Sequence, residues 1–137
     1  MDARTNKPIA GKSRWEVIKH RSIYEPEGPE DGSRVLVMRR WPRGVRKSIC
    51  DLWLPNLGPT VKTLDQYRSG AISWQEFVLR YREETLQQAT DEMERVLLAE
   101  KEQGTVTLLC WERPDVEGQL HCHRVELKDM LEHARAR

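Results

Sequence analysis

Alternation of apolar and polar residues along the chain predicts short strands separated by amphipathic helices. Apolar residues within 15–24 predict a first strand, and the continuous run 35–38 predicts a second. Continuous runs of this kind are typical of strands buried on both faces of a parallel sheet. The run 105–110 predicts a further strand, whereas 52–54 is apolar but too short to assign.

Helical spacing of apolar residues and helix-end signals predict four helices. Ser73 followed by Glu76 is a capping box, which predicts a helix start. Thr90 is a second candidate N-cap, and Gly104 is a candidate terminator. A single helical turn is also expected at 29–31. The predicted helices span about 60–67, 74–88, 90–103 and 121–131.

The order of these elements predicts the fold class. Strand, short connection, strand, helices, strand and helix indicate a single α/β domain over 14–137, with a short, mainly parallel sheet flanked by helices. Residues 1–13 are polar and aperiodic, and we expect a flexible tail there. The loops after parallel strands share one edge of a sheet. The loop 39–46 and the segment 110–124 are therefore expected to face each other across one crevice.

Composition narrows the class of protein. The 137 residues contain no apolar run of about 18 residues, so we expect no membrane span. The N-terminal residues do not resemble a signal peptide, and three cysteines are too few for a secreted disulfide scaffold, so we expect a cytoplasmic protein. The net charge of +1 hides a basic stretch at 34–47 and an acidic one at 76–102. The acidic helices leave open an alternative function as a protein interaction module.

Thiols and ionisable groups cluster near the predicted last strand and last helix. Cys110 and Glu112 are two apart in an extended segment and would share a face. Cys122 lies near a helix N-terminus, where free N–H groups and the helix dipole favour a thiolate. These residues suggest a thiol-dependent or redox enzyme. Cys122 would be the nucleophile or redox thiol, Cys110 its partner, and Glu112 or His123 the proton carrier; whether the chain is an enzyme stays open.

The basic loop offers a different interpretation of the same crevice, which we favour. Arg39, Arg40 and Arg43 would supply positive charge without nearby acids, and Trp41 would form a wall. Arg124 with the helix N-terminus would anchor an anion. The sequence therefore predicts binding of a small anionic ligand, a phosphate or a nucleotide.

Other interpretations of these residues are less well supported. Cys110 and Cys122 with a neighbouring histidine are the ligand types that Zn²⁺ takes, but no CxxC or HxxxH spacing is present and we predict no metal site. The two cysteines also suit small buried hydrophobes, with Glu112 and Arg124 as an ordinary ion pair. Nucleic-acid binding is weakly supported, because the net charge is near zero and no duplex-reading motif occurs. No cofactor motif is evident, and the oligomeric state stays open.

A resemblance to a known family is carried by six segments: 23–26, 31–37, 40–44, 52–57, 105–109 and 122–131. They resemble the YeaO-like branch of a bacterial family catalogued as domain of unknown function number four hundred and eighty-eight. The resemblance covers about 17–133, and its Arg40–Gly44 element, with Trp-Pro-Arg-Gly, is fairly specific. The elements around Cys110 and Cys122 look more like the broader group than this branch. The resemblance implies a small bacterial cytoplasmic α/β protein and names no reaction.

Overall fold

The structure, a computed structural model, describes residues 17–112 and 121–135. The strands in these ranges are β1 (Val17–Ser22), β2 (Ser33–Leu36), β3 (Leu52–Trp53) and β4 (Thr105–Cys110). The α-helices are α1 (Val61–Arg68), α2 (Trp74–Gln88), α3 (Thr90–Gln103) and α4 (His123–Arg135), and 3₁₀ turns lie at Lys47–Ile49 and Pro55–Leu57. The tail predicted at 1–13 lies outside the described residues. Among the described helices, none is long and apolar enough to cross a membrane.

The strands form one parallel sheet in the order β1-β4-β2-β3. Strand β4 is central and pairs with β1 along its whole length, from Val17 opposite Thr105 to Ser22 opposite Cys110. On its other side β4 pairs with β2, with Val35 opposite Leu108. The sheet confirms the predicted α/β class with parallel strands. All of its described strands end at the same edge.

Local sequence signals set most helix boundaries as predicted. The Ser73 hydroxyl accepts from the Glu76 N–H at 3.1 Å, and the Glu76 carboxylate accepts from the Ser73 N–H at 2.9 Å, which completes the capping box. Gly104 ends α3 with a φ of 84°, a left-handed conformation that side chains disfavour. Thr60 caps α1 by accepting from the Thr63 N–H.

Three local predictions differ from the structure. Thr90 is the first residue of α3 rather than its cap, because buried Ala89 both closes α2 through the Thr85 carbonyl and opens α3 by accepting from Met93. The segment 29–31 is a turn and not a helical turn, since the Asp31 carboxylate takes the Gly28 N–H. The last helix begins at His123, two residues later than expected.

The two faces of the sheet are covered differently. Side chains of alternate strand residues, such as Val35 and Leu108, join the helices in the main core. Leu36 and Leu109 point to the opposite face, where Trp41 and the apolar residues after it pack on them. The described helices therefore cover one face, and the basic segment 38–50 covers the other.

A buried ion cluster ties the start of β2 to its surroundings. The Asp31 carboxylate accepts from the Gly28 N–H and from the guanidinium groups of Arg34 and Arg21. Arg34 is itself buried, and its Nε donates to the Ile49 carbonyl at 2.8 Å. Burial opposes ionisation of Asp31, but the Gly28 N–H and the two arginines outweigh it and lower the pKa of this carboxyl.

We predict that Asp31→Asn lowers the free energy of unfolding by about 3 kcal/mol at pH 7, since it leaves Arg34 buried without its counter-charge. Because the folded-state pKa of Asp31 is lowered, its stabilisation is present above the usual Asp value of about 3.9 and is lost as the pH falls further. Urea unfolding at several pH values should therefore show that the difference in free energy of unfolding between wild type and variant decreases below about pH 4.

The matched control is Glu30→Gln, which removes a carboxylate from an exposed neighbour. It should change stability by less than about 0.5 kcal/mol. If the loss of unfolding free energy in Asp31→Asn did not depend on pH, a stabilising role for the Asp31 charge would be contradicted.

Candidate functional site

A crevice of about 350 Å³ opens at the edge of the sheet where the strands end. One wall comes from the segment after β2, and a second comes from α1 and Pro59, which lies just before α1. The end of β4 and the start of α4 form the floor. This is the edge at which parallel α/β proteins place their ligands. The lining residues are Met38, Arg39, Arg40, Pro59, Val61, Leu64, Asp65, Arg68, Cys110, Trp111, Glu112 and His123.

The floor of the crevice contains two thiols and an imidazole. The Sγ atoms of Cys110 and Cys122 and a ring nitrogen of His123 lie within 4.8 Å of one another, and all three residues are buried. Alternation along β4 turns Cys110 to the helix side of the sheet, where α4 begins. A hydrogen bond with Cys122, together with burial, raises the pKa of the Cys110 thiol well above its usual value.

The imidazole of His123 is oriented by the main chain. Its Nε2 lies 2.6 Å from the carbonyl oxygen of Val37, just beyond β2. A carbonyl only accepts, so Nε2 carries a hydrogen and donates it. In the neutral ring Nδ1 therefore has a free lone pair, and it lies 3.7 Å from the Sγ of Cys122.

Arg124 lies behind the crevice rather than in its lining. Its side chain is buried, and it donates to the Glu112 carbonyl at 2.8 Å, to Nδ1 of His20 at 3.2 Å and to the Sγ of Cys122 at 3.5 Å. Burial and the positive charges of Arg124 and Lys128 lower the pKa of His20, which favours the neutral ring that accepts from Arg124. Arg124 thus positions the floor, whereas the sequence suggested a ligand anchor.

The predicted basic loop divides into residues that face the crevice and residues that do not. Arg39 and Arg40 line it. Trp41 is packed against the sheet, with its indole N–H donating to the Val45 carbonyl at 2.8 Å and its ring edge-on to Trp53. Arg43 is exposed and is not among the lining residues.

The Arg39 side chain makes hydrogen bonds within the protein. Its guanidinium donates to the carbonyls of Gly58 and Pro59, each at 3.3 Å, and to the Asn56 side chain at 3.0 Å. These bonds hold the segment after β2 against the turn that leads into α1. Arg40 is exposed at the crevice.

Sequence reasoning missed Arg68 and Trp111 as site residues. Arg68 is the last residue of α1, and its guanidinium carbon lies 5.6 Å from the centre of the Trp111 ring, a cation–π contact across the crevice. The only sequence signal for Arg68 was its position at the C-terminus of a predicted helix. The helix dipole favours a basic residue at the end of any helix, so this signal does not identify a binding site. Trp111 follows β4 and is 40% exposed.

His121 does not join the thiol cluster. It is exposed, stacks on Trp74 at 4.7 Å between ring centres, and lies 3.5 Å from the Tyr67 hydroxyl. Successive helical residues point about 100° apart, so 121, 122 and 123 do not all face one point. Phe77 and Tyr81, four residues apart on α2, are buried in the core.

The fold and the crevice define a small parallel α/β protein with a buried thiol–imidazole cluster at the carboxyl edge of its sheet. A family model described as the active DUF488-N3 subclade matches residues 18–135, and the chain belongs to this family.

Curated relatives agree with the resemblance to YeaO-like proteins. The Uncharacterized protein Rv3073c of Mycobacterium tuberculosis is 38% identical over 64 residues, which cover 45% of this chain and 54% of the relative. The chain therefore spans about half the length of this mycobacterial relative. The Uncharacterized protein YeaO of Escherichia coli is 26% identical over 91 residues, or 65% of this chain and 79% of the relative. No solved structure matches the chain.

We predict that iodoacetamide labels Cys50 in the native protein well before Cys110 or Cys122. Cys110 and Cys122 are 2% and 1% exposed, so their labelling requires local opening, whereas Cys50 is half-buried outside the cluster. Peptide mapping by mass spectrometry over a time course measures the order, and unfolding in urea should equalise the three rates. Native labelling of Cys122 ahead of Cys50 would contradict the buried placement and favour an accessible, activated thiol.

Proposed function

We propose that this protein binds a small phosphate-bearing ligand, a nucleotide by preference, in the crevice at the carboxyl edge of its sheet. The observation that carries the proposal is the pairing of Arg40 on one wall with Arg68 on the other, above a floor that contains Cys110 and His123. Two guanidinium groups that face one cavity suit the oxygens of a phosphate, which accept charge-assisted hydrogen bonds.

The charges of the crevice favour a nucleotide over inorganic phosphate. Asp65 and Glu112 also line it, so carboxylates lie beside the arginines. A bare phosphate would be repelled by these acids, whereas hydroxyl and amino groups of a nucleoside would donate to them. Trp111 supplies a flat apolar surface beside the same opening. The volume of about 350 Å³ is in the range of small-molecule sites.

Within this proposal the arginines have separate roles. Arg39 is held by three acceptors and shapes the wall. Arg40 and Arg68 contact the ligand, and Arg124 holds the floor from behind through the Glu112 carbonyl. Arg43 and Trp41 take no part in binding.

We expect nucleoside 5′-monophosphates to raise the melting temperature of the protein, and the matched nucleosides to raise it much less. At ten times Kd the stabilisation is about 1.4 kcal/mol, or about 4 °C for a domain of this size. Arg40→Ala and Arg68→Ala should each weaken Kd by about tenfold or more, the value of one hydrogen bond to a charged group. Differential scanning fluorimetry over a concentration series measures both effects.

Arg43→Ala is the matched control, because it removes an arginine of the same loop that lies outside the lining. Its melting-temperature shift should equal that of wild type. Equal shifts from nucleosides and nucleotides, or an effect of Arg43→Ala as large as that of Arg40→Ala, would refute the proposal.

A second candidate function is thiol chemistry on a ligand in the same crevice. The approach of Cys122 Sγ to Nδ1 of His123, with the ring oriented by the Val37 carbonyl, favours it. In this scheme His123 accepts the thiol proton, and Cys110, which lines the crevice, is the partner sulfur. The order of alkylation in the native protein tests this scheme. Labelling of Cys122 before Cys50 would indicate an activated thiol, and labelling of Cys50 first would indicate that Cys122 is protected.

A further inference from the structure

Three atoms with affinity for zinc-class metals converge at the floor of the crevice. They are the Sγ atoms of Cys110 and Cys122 and the ring nitrogen of His123, all within 4.8 Å of one another. A tetrahedral zinc ion with bonds of about 2.0–2.3 Å holds its ligand atoms about 3.5–3.8 Å apart. The separation of 3.7 Å between Cys122 Sγ and His123 Nδ1 already meets this requirement. The remaining separations are at most 4.8 Å, within about 1 Å of this range.

The histidine has the orientation of a metal ligand. Metal-binding histidines generally donate their other ring N–H to a carbonyl or carboxylate, which fixes the tautomer. Nε2 of His123 makes this bond to the Val37 carbonyl at 2.6 Å, so the lone pair of Nδ1 is left on the side of the Cys122 sulfur, 3.7 Å away. A histidine that served packing alone would not require its free nitrogen on the thiol side.

Arg124 supports the cluster from outside. Its Nη1 lies 3.5 Å from the Sγ of Cys122 and is fixed by the Glu112 carbonyl at 2.8 Å. An N–H donor of this kind stabilises a thiolate ligand. Two thiolates also balance the charge of a divalent cation, which makes a buried site electrostatically feasible.

One side of the cluster faces the crevice. Cys110 and His123 line the cavity, whereas Cys122 is not among its lining residues. We propose that Cys110, Cys122 and His123 bind a divalent zinc-class metal through two thiolates and one imidazole, with a further coordination position open to the crevice. Three protein ligands and an open position are the arrangement of a catalytic rather than a structural zinc site. Binding releases the two thiol protons to solvent.

This inference goes beyond the proposed nucleotide site and depends on different residues. Metal binding requires neither Arg40 nor Arg68, and nucleotide binding by those arginines requires no metal. Each proposal can therefore fail while the other stands.

Cobalt titration of the full chain tests the site. The protein, stripped with a chelator and kept reduced with a phosphine, should bind one equivalent of Co²⁺ and develop a sulfur-to-cobalt charge-transfer absorption. Cys110→Ser and Cys122→Ser should each weaken binding by at least about 100-fold, since even loss of an outer partner costs 10–100-fold. Cys50→Ser removes a thiol outside the cluster and should leave the titration unchanged.

Protection of the cysteines from alkylation in the wild-type protein tests the site without relying on variants that fail to fold. Zn²⁺ should slow alkylation of Cys110 and Cys122 in moderate urea at least tenfold and leave Cys50 unaffected. The Arg40→Ala, Arg68→Ala double variant should retain full cobalt binding. Absence of the thiolate absorption, equal binding in the Cys110 or Cys122 variants, or no protection by Zn²⁺ would overturn the metal site. A nucleotide shift that survives such a result would leave the proposed function standing.

Discussion

The parallel pairing of β4 between β1 and β2 is the constraint on which the rest of the structure depends. Because the strands run in the same direction, β2 and β4 end at one edge, and Val37 and Cys110 are brought close together. Helix α4 packs back on the sheet and starts at that edge, which places His123 between them. The Val37–His123 hydrogen bond then joins one strand end to the helix start. The thiol cluster is a consequence of topology more than of any local motif.

The segment after β2 performs two tasks at once. Its apolar residues, led by Trp41, cover the sheet face that the described helices leave exposed. Its charged residues must then point outward or along the sheet edge, since unpaired buried charges are costly. Arg39 stiffens the segment through its three acceptors, and Arg40 next to it is left at the crevice. This one segment therefore supplies both the apolar cluster on the second face of the sheet and the charged wall of the crevice.

Much of the fold could be predicted because its signals are local. The Ser73–Glu76 box, the Gly104 terminator and the apolar run at 35–38 each depend on neighbouring residues. The first two lie where they were predicted, and the third indicated β2, which spans Ser33–Leu36. Ala89 could not be recognised as the junction of two helices, because its burial depends on packing from distant elements. The crevice itself was expected from the rule that parallel strands share an edge.

The site was harder to predict than the fold. Arg124 and Trp41 have the residue types of a binding site, but in the structure both are packed within the protein. Arg68 and Trp111 come together from segments 43 residues apart in sequence, and no local pattern indicates such a contact. The adjacent pair Cys122–His123 has no metal-motif spacing, yet it meets Cys110 through the sheet. Long-range contacts of this kind depend on topology that a motif does not encode.

Ligand binding in the crevice beside Trp111 can be followed through the indole N–H signals of the tryptophans. The chain has five tryptophans, and only Trp111 lines the crevice among the described residues. In an NMR titration with a nucleoside monophosphate, we expect the Trp111 indole signal to shift and saturate. The Trp41 indole, bonded to Val45 on the far face of the sheet, should stay in place. A Trp111 signal that does not move while the ligand binds elsewhere would contradict a ligand site in this crevice.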